Sequence, residues 1–329
     1  MALEKSNRRD VAALAGVSVA TVSYVLNNTK NITPDVRARV LDAVKQLNYT
    51  PNLVAKSLAT KKTRHVALLT DNLKNPHYCE LLEGAQAAAS DNGYIVSVIA
   101  ADTSNAASIA ELVGRGVDGV INALDVAGIK ALSGTGIPQV REGTHLRHDY
   151  YPAMLQAVHA LYQSGHRHIA YLSAIPLTTP DYGRLEAFKK ALSANGLPCR
   201  PELLIENASG YKTDENAGAL MADTLINSGR DFTAVITIND LAAIGAVRRF
   251  KERGLSVPGD VSVIGCDNIK ILDYLSVGLS SIDTKAFETG RVLMSALMAQ
   301  IRGDAWQVPL LVCDFINRES IACPRGLPY

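Results

Sequence analysis

Val19, Ala20, Ser23 and Tyr24 fall early in one short helical pattern within DVAALAGVSVATVSYVLN, residues 10–27. On a helix lying in a DNA major groove, these side chains would point at base edges. Val19 and Ala20 are small and apolar, so they suit a thymine methyl better than bidentate readout of guanine. A second polar set closes strand-like runs further along: TDN at 70–72, IND at 238–240 and CDN at 266–268. Ligands in open α/β sheets bind outside the carboxyl ends of the strands. The three sets therefore point to one polar cleft between two lobes.

Catalytic and metal chemistry finds weaker footing. No GxSxG, HExxH or P-loop occurs, and no carboxylate pair has a local context for acid–base work, so an enzyme is not expected. GRGVDG at 114–119 matches GxGxxG by letter. It follows a helix pattern and precedes a strand, the reverse of a dinucleotide loop. HRH at 166–168 reads as a helix-to-strand corner, not a metal site. Cys79, Cys199, Cys266, Cys313 and Cys323 are odd in number and never spaced CxxC. They read as reduced thiols of a cytoplasmic protein, with neither zinc nor a disulfide framework. No apolar run reaches the roughly eighteen residues of a membrane span, and the N-terminus lacks a secretory apolar region.

The elements that would hold these residues follow from pattern. Asp10 is placed as the N-cap of a first helix with Val11, Leu14 and Ala15 inward. Gly16 supplies the turn. Ser18 caps a second helix with the stripe Val22, Val25 and Leu26. Thr33-Pro34-Asp35 opens a third, with Val36, Val40, Leu41, Val44 and Leu47 inward. Together they make a helix-turn-helix; the competing reading is a helical hairpin for protein contact. TPNLVAKSLATKKT, residues 50–63, is too short to be a stable helix alone. Two copies packed at Ala55 could fold on DNA and place Leu58 as a minor-groove wedge, unless Leu58 packs on the body instead. Residues 1–63 carry ten Lys/Arg against four Asp/Glu, net +6, while the remainder carries 23 against 28, net −5. A basic module that meets phosphates thus leads a mildly acidic body. That body alternates strand and helix patterns in two series, which implies two parallel-sheet subdomains wrapped by helices.

DVAALAGVSVATVSYVLN, followed by ITPDVRARVLDAVKQLNYTPNLVAKSLAT, resembles the DNA-binding head and hinge of the LacI/GalR transcription regulators. The likeness runs nearly continuously over residues 10–60. It implies that Leu58 is the minor-groove lever and that Tyr49 and Asn52 hold the DNA backbone. Ser18, Thr21, Asn27, Thr33, Ala55 and Lys56 complete the DNA-contacting set with Val19, Ala20, Ser23 and Tyr24. Through NPHYCELLEGAQ, GVDGVI, SGHRHIAYL, GRLEAFKKAL, INDLAAIGAVR, GLSVPGDVSVIGCDN and NRES, the body resembles a type I periplasmic sugar-binding fold. The resemblance implies an α/β architecture in three parts. These are a three-helix head over 1–50, a hinge helix over 51–63, and a core over 64–329. The core divides into an N-subdomain at about 64–146 and 288–316 and a C-subdomain at about 147–287 and 317–329, with crossings near 144–150, 284–290 and 314–318.

By matching positions, the resemblance implies a set of effector-binding residues. Arg184 and Asp267 are its centre, Asn239 and Asp240 a strand end, and His77 and Tyr78 a first-lobe wall. Thr178 is a loop position, Tyr211 an aromatic wall and Asp149 an acid between the lobes. Simpler readings stand beside these: a surface salt bridge for Arg184, a strand-end cap for Asp267, and packing for Tyr211. The chain departs from the family where D-N-x-x-G becomes Asp149-Tyr-Tyr-Pro-Ala153, so Tyr150 replaces Asn and Pro152 stiffens the turn. A cleft position often aromatic is Ala286, with Phe287 beside it. The expectation is a repressor that binds a pseudo-palindromic operator as a homodimer, controlled by a small effector, a sugar or sugar derivative. The alternatives are a phosphocarrier protein as corepressor, and a free binding protein or enzyme with a decorative head. No coiled-coil tetramer tail is expected after NRESIACPRGLPY.

Overall fold

The computed structural model describes residues 6–50, 57, 62–70, 72–100, 109, 116–123, 132, 134–178, 183–207 and 213–325. It divides into two compact units, 1–63 and 64–329.

In the first unit, α1 (Arg8–Ala15) and α2 (Val19–Asn27) meet at 101°, within the range of a helix-turn-helix. Gly16 makes the turn at φ 63°, a conformation that costs a glycine nothing sterically. Ser18 caps α2 by accepting from the Thr21 amide at 3.0 Å. α1 is capped by Asn7, one turn earlier than the expected Asp10. The Asn7 side chain accepts from Arg9 N at 2.8 Å, and Asp10 reaches back to Asn7 N at 2.7 Å. This is a reciprocal capping box. α3 (Pro34–Gln46) starts at Pro34, but Thr33 makes no side-chain cap bond. The shared core holds Val11, Ala12, Ala15, Val22, Val25, Val40, Ala43 and Tyr49. Leu14 and Leu41, assigned inward from the pattern, are 50% and 49% exposed. Ala12 and Ala43 take the inward positions instead, because small residues let three short helices approach closely.

The second unit has two parallel sheets. The first contains β1 (His65–Thr70), β2 (Ile95–Ala100), β3 (Gly119–Asn122) and β4 (Gln139–Val140), in the order β2-β1-β3-β4. The second contains β6 (Ile169–Ser173), β7 (Leu204–Glu206), β8 (Ala234–Thr237), β9 (Ser262–Asp267), β10 (Ser280–Asp283) and β12 (Asp314–Ile316). Their order is β12-β10-β9-β8-β6-β7, and β12 alone runs antiparallel. Between the sheets, β5 (Arg147–Asp149) pairs with β11 (Leu310–Val312) in a parallel ribbon.

Helices cover both sheets, as parallel strands require. α4 (Pro76–Ser90) packs on α9 (Ala286–Arg302) in the first lobe, while α5 (Tyr151–Gln163), α6 (Arg184–Ala194), α7 (Glu215–Asn227) and α8 (Asp240–Glu252) flank the second sheet. α4 and α9 touch backbone to backbone: a Cβ on Gly84 would lie 1.8 Å from Phe287 O, and one on Gly290 1.9 Å from Leu81 O. The chain crosses between lobes at β5, at Thr284–Lys285 and at β11. The third crossing ends before β12, because Ser281, Ile282 and Asp283 pair with β12 in the second sheet. The segment 314–316 therefore leaves the N-subdomain to which the resemblance assigned it. Among the described residues, no single helix is long and apolar enough to cross a membrane.

His166 is the corner the sequence suggested. It is 1% exposed, and its ring meets Thr233 Oγ1 and Ala322 O, each at 2.9 Å. Burial lowers its pKa from 6.5 to about 4.

Two outcomes follow. Gly290→Leu forces α9 off α4, and urea denaturation should show a loss of about 3 kcal/mol or more, beyond ordinary overpacking because backbone must move. Between pH 6.5 and about 4 the unfolded chain protonates at His166 while the folded chain does not, so stability falls as pH falls through that window. The full effect is about 3 kcal/mol. Paired melts at pH 7 and pH 4.5 should show a smaller acid loss in His166→Gln than in the parent.

Candidate DNA-reading face and inter-lobe site

On the head, Val19 is 43% exposed and Ala20 is exposed, whereas Val22 and Val25 turn into the core. The candidate reading face is therefore an outward face of α2. Its polar members are partly occupied within the helix. Asn27 Nδ2 donates to Ser23 O at 2.9 Å and reaches Ser23 Oγ at 3.2 Å. Ser18 Oγ and Thr21 Oγ1 share a 2.9 Å bond. Tyr24 carries a group that sequence reasoning missed: the Lys30 ammonium sits 4.4 Å from its ring centroid. That contact is attractive and sets a cation beside the reading helix. The signal available was a lysine just past a helix that ends in an aromatic turn. Tyr49, expected at the DNA backbone, is 8% exposed and packs in the head core. Thr33 is exposed. Asn52, Ala55, Lys56 and Leu58 lie outside the described residues.

In the second unit, a buried carboxylate of the second lobe meets residues of the first. Asp267 ends β9 with φ 118°, and Asn268 follows at φ 56°. Both values are unusual for non-glycine residues, and such backbone strain gathers at functional sites. From the first lobe, Asn75 caps the start of α4 and hydrogen-bonds the Asp267 carboxylate, while His77 Nδ1 lies 3.7 Å from Asp267 Oδ1. From the second lobe, Arg184 Nη2 lies 4.0 Å from the same oxygen. Burial raises the Asp267 pKa, and His77 and Arg184 pull it back. Burial also disfavours the Arg184 cation, but the facing Asp267 and Glu142 carboxylates keep it protonated.

Beneath Arg184 lies Tyr150, 2% exposed, with its ring centroid 4.7 Å from the guanidinium carbon. Arg184 donates a hydrogen bond to the Cys266 sulfur, and burial pushes the Cys266 thiol pKa well up. Burial likewise pushes Cys313 to about 12, so both thiols stay protonated. His148 on β5 donates through Nε2 to Thr284 O at 3.1 Å, since a carbonyl can only accept. Its Nδ1 lies 3.8 Å from Glu142 Oε2. Burial lowers its pKa. A cavity of about 560 Å³ opens at the lobe boundary between Glu80, Phe287, Leu311, Lys270, Asp283 and Arg318.

The structure thus brings His77, Arg184 and Asp267 together, and Tyr78 stands edge-on to His77 at 5.4 Å. Other expected residues serve the fold. Asp240 has no exposure: Ser281 Oγ donates to it at 2.6 Å and Ile269 N at 2.9 Å. It is the strand-end cap that was one reading of Asp267. Burial and the nearby Asp267 charge raise its pKa well above the usual carboxylate range. Asn239 caps α8 through Ala242 N at 3.0 Å and donates to Thr213 O at 2.9 Å. Asp149 accepts from Tyr151 N at 3.1 Å and so turns the chain into α5. Thr178 is exposed in a turn, and Tyr211 lies outside the described residues. Sequence reasoning missed Asn75, Glu142 and His148. Asn75 precedes Pro76, a helix-start signal that was available; Glu142 and His148 carried none.

Two family descriptions match the chain: "Bacterial regulatory proteins, lacI family" over residues 9–52, and "Periplasmic binding protein-like domain" over residues 158–321. The HTH-type transcriptional repressor PurR of Photorhabdus laumondii is 31% identical over 89% of this chain and 89% of its own length. The lac repressor dimer bound to operator and the anti-inducer ONPF superposes with a TM-score of 0.80 at 25% identity, covering 97% of this chain and all of that one. A LacI family transcriptional regulator from Enterococcus faecium with bound ribose gives 0.67 at 26% identity, over 79% and 99%. A helix-turn-helix head, two parallel-sheet lobes joined by three crossings, and a relative of this identity along most of the chain lead to one conclusion: the chain belongs to the LacI family of bacterial regulatory proteins, which bind DNA and are not enzymes.

Proposed function

We propose that the chain represses transcription from the cytoplasm by binding a pseudo-palindromic operator as a homodimer. One head reads one half-site, and symmetric dimers match symmetric sites. A small effector between the lobes controls it, and no cofactor takes part. The observation that carries this reading is the junction at Asp267, where one carboxylate holds Asn75 and His77 of the first lobe and Arg184 of the second. A ligand that gives hydrogen bonds to Asp267 competes with the Asn75 and His77 contacts that join the lobes. It therefore has different affinity for different lobe angles, which any switching ligand must have.

The effector class is a neutral sugar. Arg184 already faces Asp267 and Glu142, which leaves no surplus positive charge at the junction for a phosphate. The ribose-bound relative supports the pentose class in particular.

A thermal-shift panel of pentoses, hexoses, disaccharides, sugar phosphates and nucleobases tests this. A neutral sugar should stabilise the chain by about 2.7 kcal/mol at a hundred times Kd, and Arg184→Ala should abolish the shift. Response only to sugar phosphates, or an unchanged response in Arg184→Ala, would sink the assignment. On the DNA side, operator affinity should fall steeply with salt. Lys30→Ala should flatten that slope by about one unit, because it removes one phosphate-meeting cation. An unchanged slope would mean Lys30 faces away from DNA.

A further inference from the structure

The Arg184 guanidinium carbon lies over the face of the Tyr150 ring, 4.7 Å from its centroid. The guanidinium donates to the Cys266 sulfur, and Asp267 stands 4.0 Å from Nη2. Tyr150 is itself held firmly. It packs in the second-lobe core with Met154, Tyr171, Leu185 and Cys266, and its ring lies 5.6 Å from that of His148. It sits between β5 and α5, where the Asp149 carboxylate and Pro152 fix the turn. Its hydroxyl is buried without a hydrogen-bond partner among the described residues. Buried phenols normally find one, so the ring and not the hydroxyl is what this side chain contributes here. What the ring does supply is an electron-rich face under a buried cation.

We propose that Tyr150 is a positioning residue that sets effector selectivity, an inference resting on the effector-cleft reading above. The ring fills the side of the guanidinium toward the second-lobe core, so that side is closed to a ligand and Arg184 is left to bind through its N–H fork. Such a fork pairs with two oxygens side by side. The matching ligand group is a vicinal diol. A planar base, which binds arginine well by stacking on its face, is denied the covered side. Loosening Arg184 therefore costs diol affinity and relaxes the preference against planar bases.

The test uses the full chain labelled with ¹⁵N-arginine, and the Arg184 Nε–Hε resonance is assigned by its loss in Arg184→Lys. In the parent this resonance should lie upfield of the other arginines through the Tyr150 ring current and show a nuclear Overhauser effect to the Tyr150 ring protons. Both should persist in Tyr150→Phe. In Tyr150→Leu the shift should vanish while the Arg167 and Arg318 resonances stay in place. An unshifted parent resonance, or an unchanged shift in Tyr150→Leu, overturns the proposal. If Tyr150→Leu does not fold, the Overhauser effect in the parent decides by itself.

Calorimetry with D-ribose and adenine gives the functional arm. Tyr150→Leu should weaken ribose about tenfold, the size of one desolvated cation–π contact. Tyr150→Phe should stay near the parent, and the ribose-to-adenine preference should shrink in Tyr150→Leu alone. Equal ribose losses in both variants would make the hydroxyl the working part and overturn the ring-platform account. Failure of ribose to bind the parent would count against the pentose reading, and the resonance shift would still decide the role of Tyr150.

Discussion

A buried carboxylate must be partnered, and at Asp267 the partners come from both lobes. Desolvation of a lone carboxylate is costly enough that the group would neutralise rather than stay charged. Asn75, His77 and Arg184 reduce that cost together. Much of the surrounding geometry follows from this need. The backbone at Asp267 and Asn268 takes positive φ values, and neighbours hold it there. Ser281 Oγ accepts from Asn268 N, Asn268 Nδ2 donates to Asp283, and Arg318 donates to Asn268 Oδ1. Below, Asp240 ties Ser281 to Ile269 and so supports the strand end from inside. Two aspartates divide the work: the inner one builds the platform, and the outer one faces the other lobe.

The head obeys a different constraint, that of size. Three short helices bury little surface, so local devices carry much of the specification. The Asn7–Asp10 box, Gly16, Ser18 and Pro34 fix ends and turns that packing alone would leave loose. Small residues at Ala12, Ala15 and Ala43 then bring the helices close enough for Val11, Val22 and Val40 to be fully buried. The leucines left outside, Leu14 and Leu41, show that apolar periodicity in an eight- or thirteen-residue helix marks two candidate stripes rather than one.

Much of this was legible in the sequence, because turn chemistry and apolar alternation are local signals. Gly16, Ser18 and Pro34 announced the head, and runs such as HVALLT and AVITIND became β1 and β8. At the site, Arg184, Asp267 and His77 were visible through the family pattern, and their convergence is what the structure adds. Asn239 and Asp240 looked like ligand residues because they end a strand, yet a strand end is also where the next helix must be capped. Which role a carboxylate takes depends on the neighbours it meets in space, here Ser281 from forty-one positions away. His148 was illegible for the same reason: its partners are Glu142 on one side and Thr284 and Thr289 on the other. The β5–β11 pairing joins segments far apart in the chain, and short edge ribbons of this kind have almost no sequence signature.

That ribbon has a mechanical meaning. Two of the three connections between the lobes are hydrogen-bonded side by side as parallel strands, and His148 ties the first of them to the remaining one at Thr284. Three separate tethers would let two bodies slide, splay and twist independently. Tethers fastened to each other leave chiefly one soft coordinate, rotation about their common axis. A binding event that touches any one point of the junction must then express itself along that single coordinate, as a key turns a lock whichever tooth it presses.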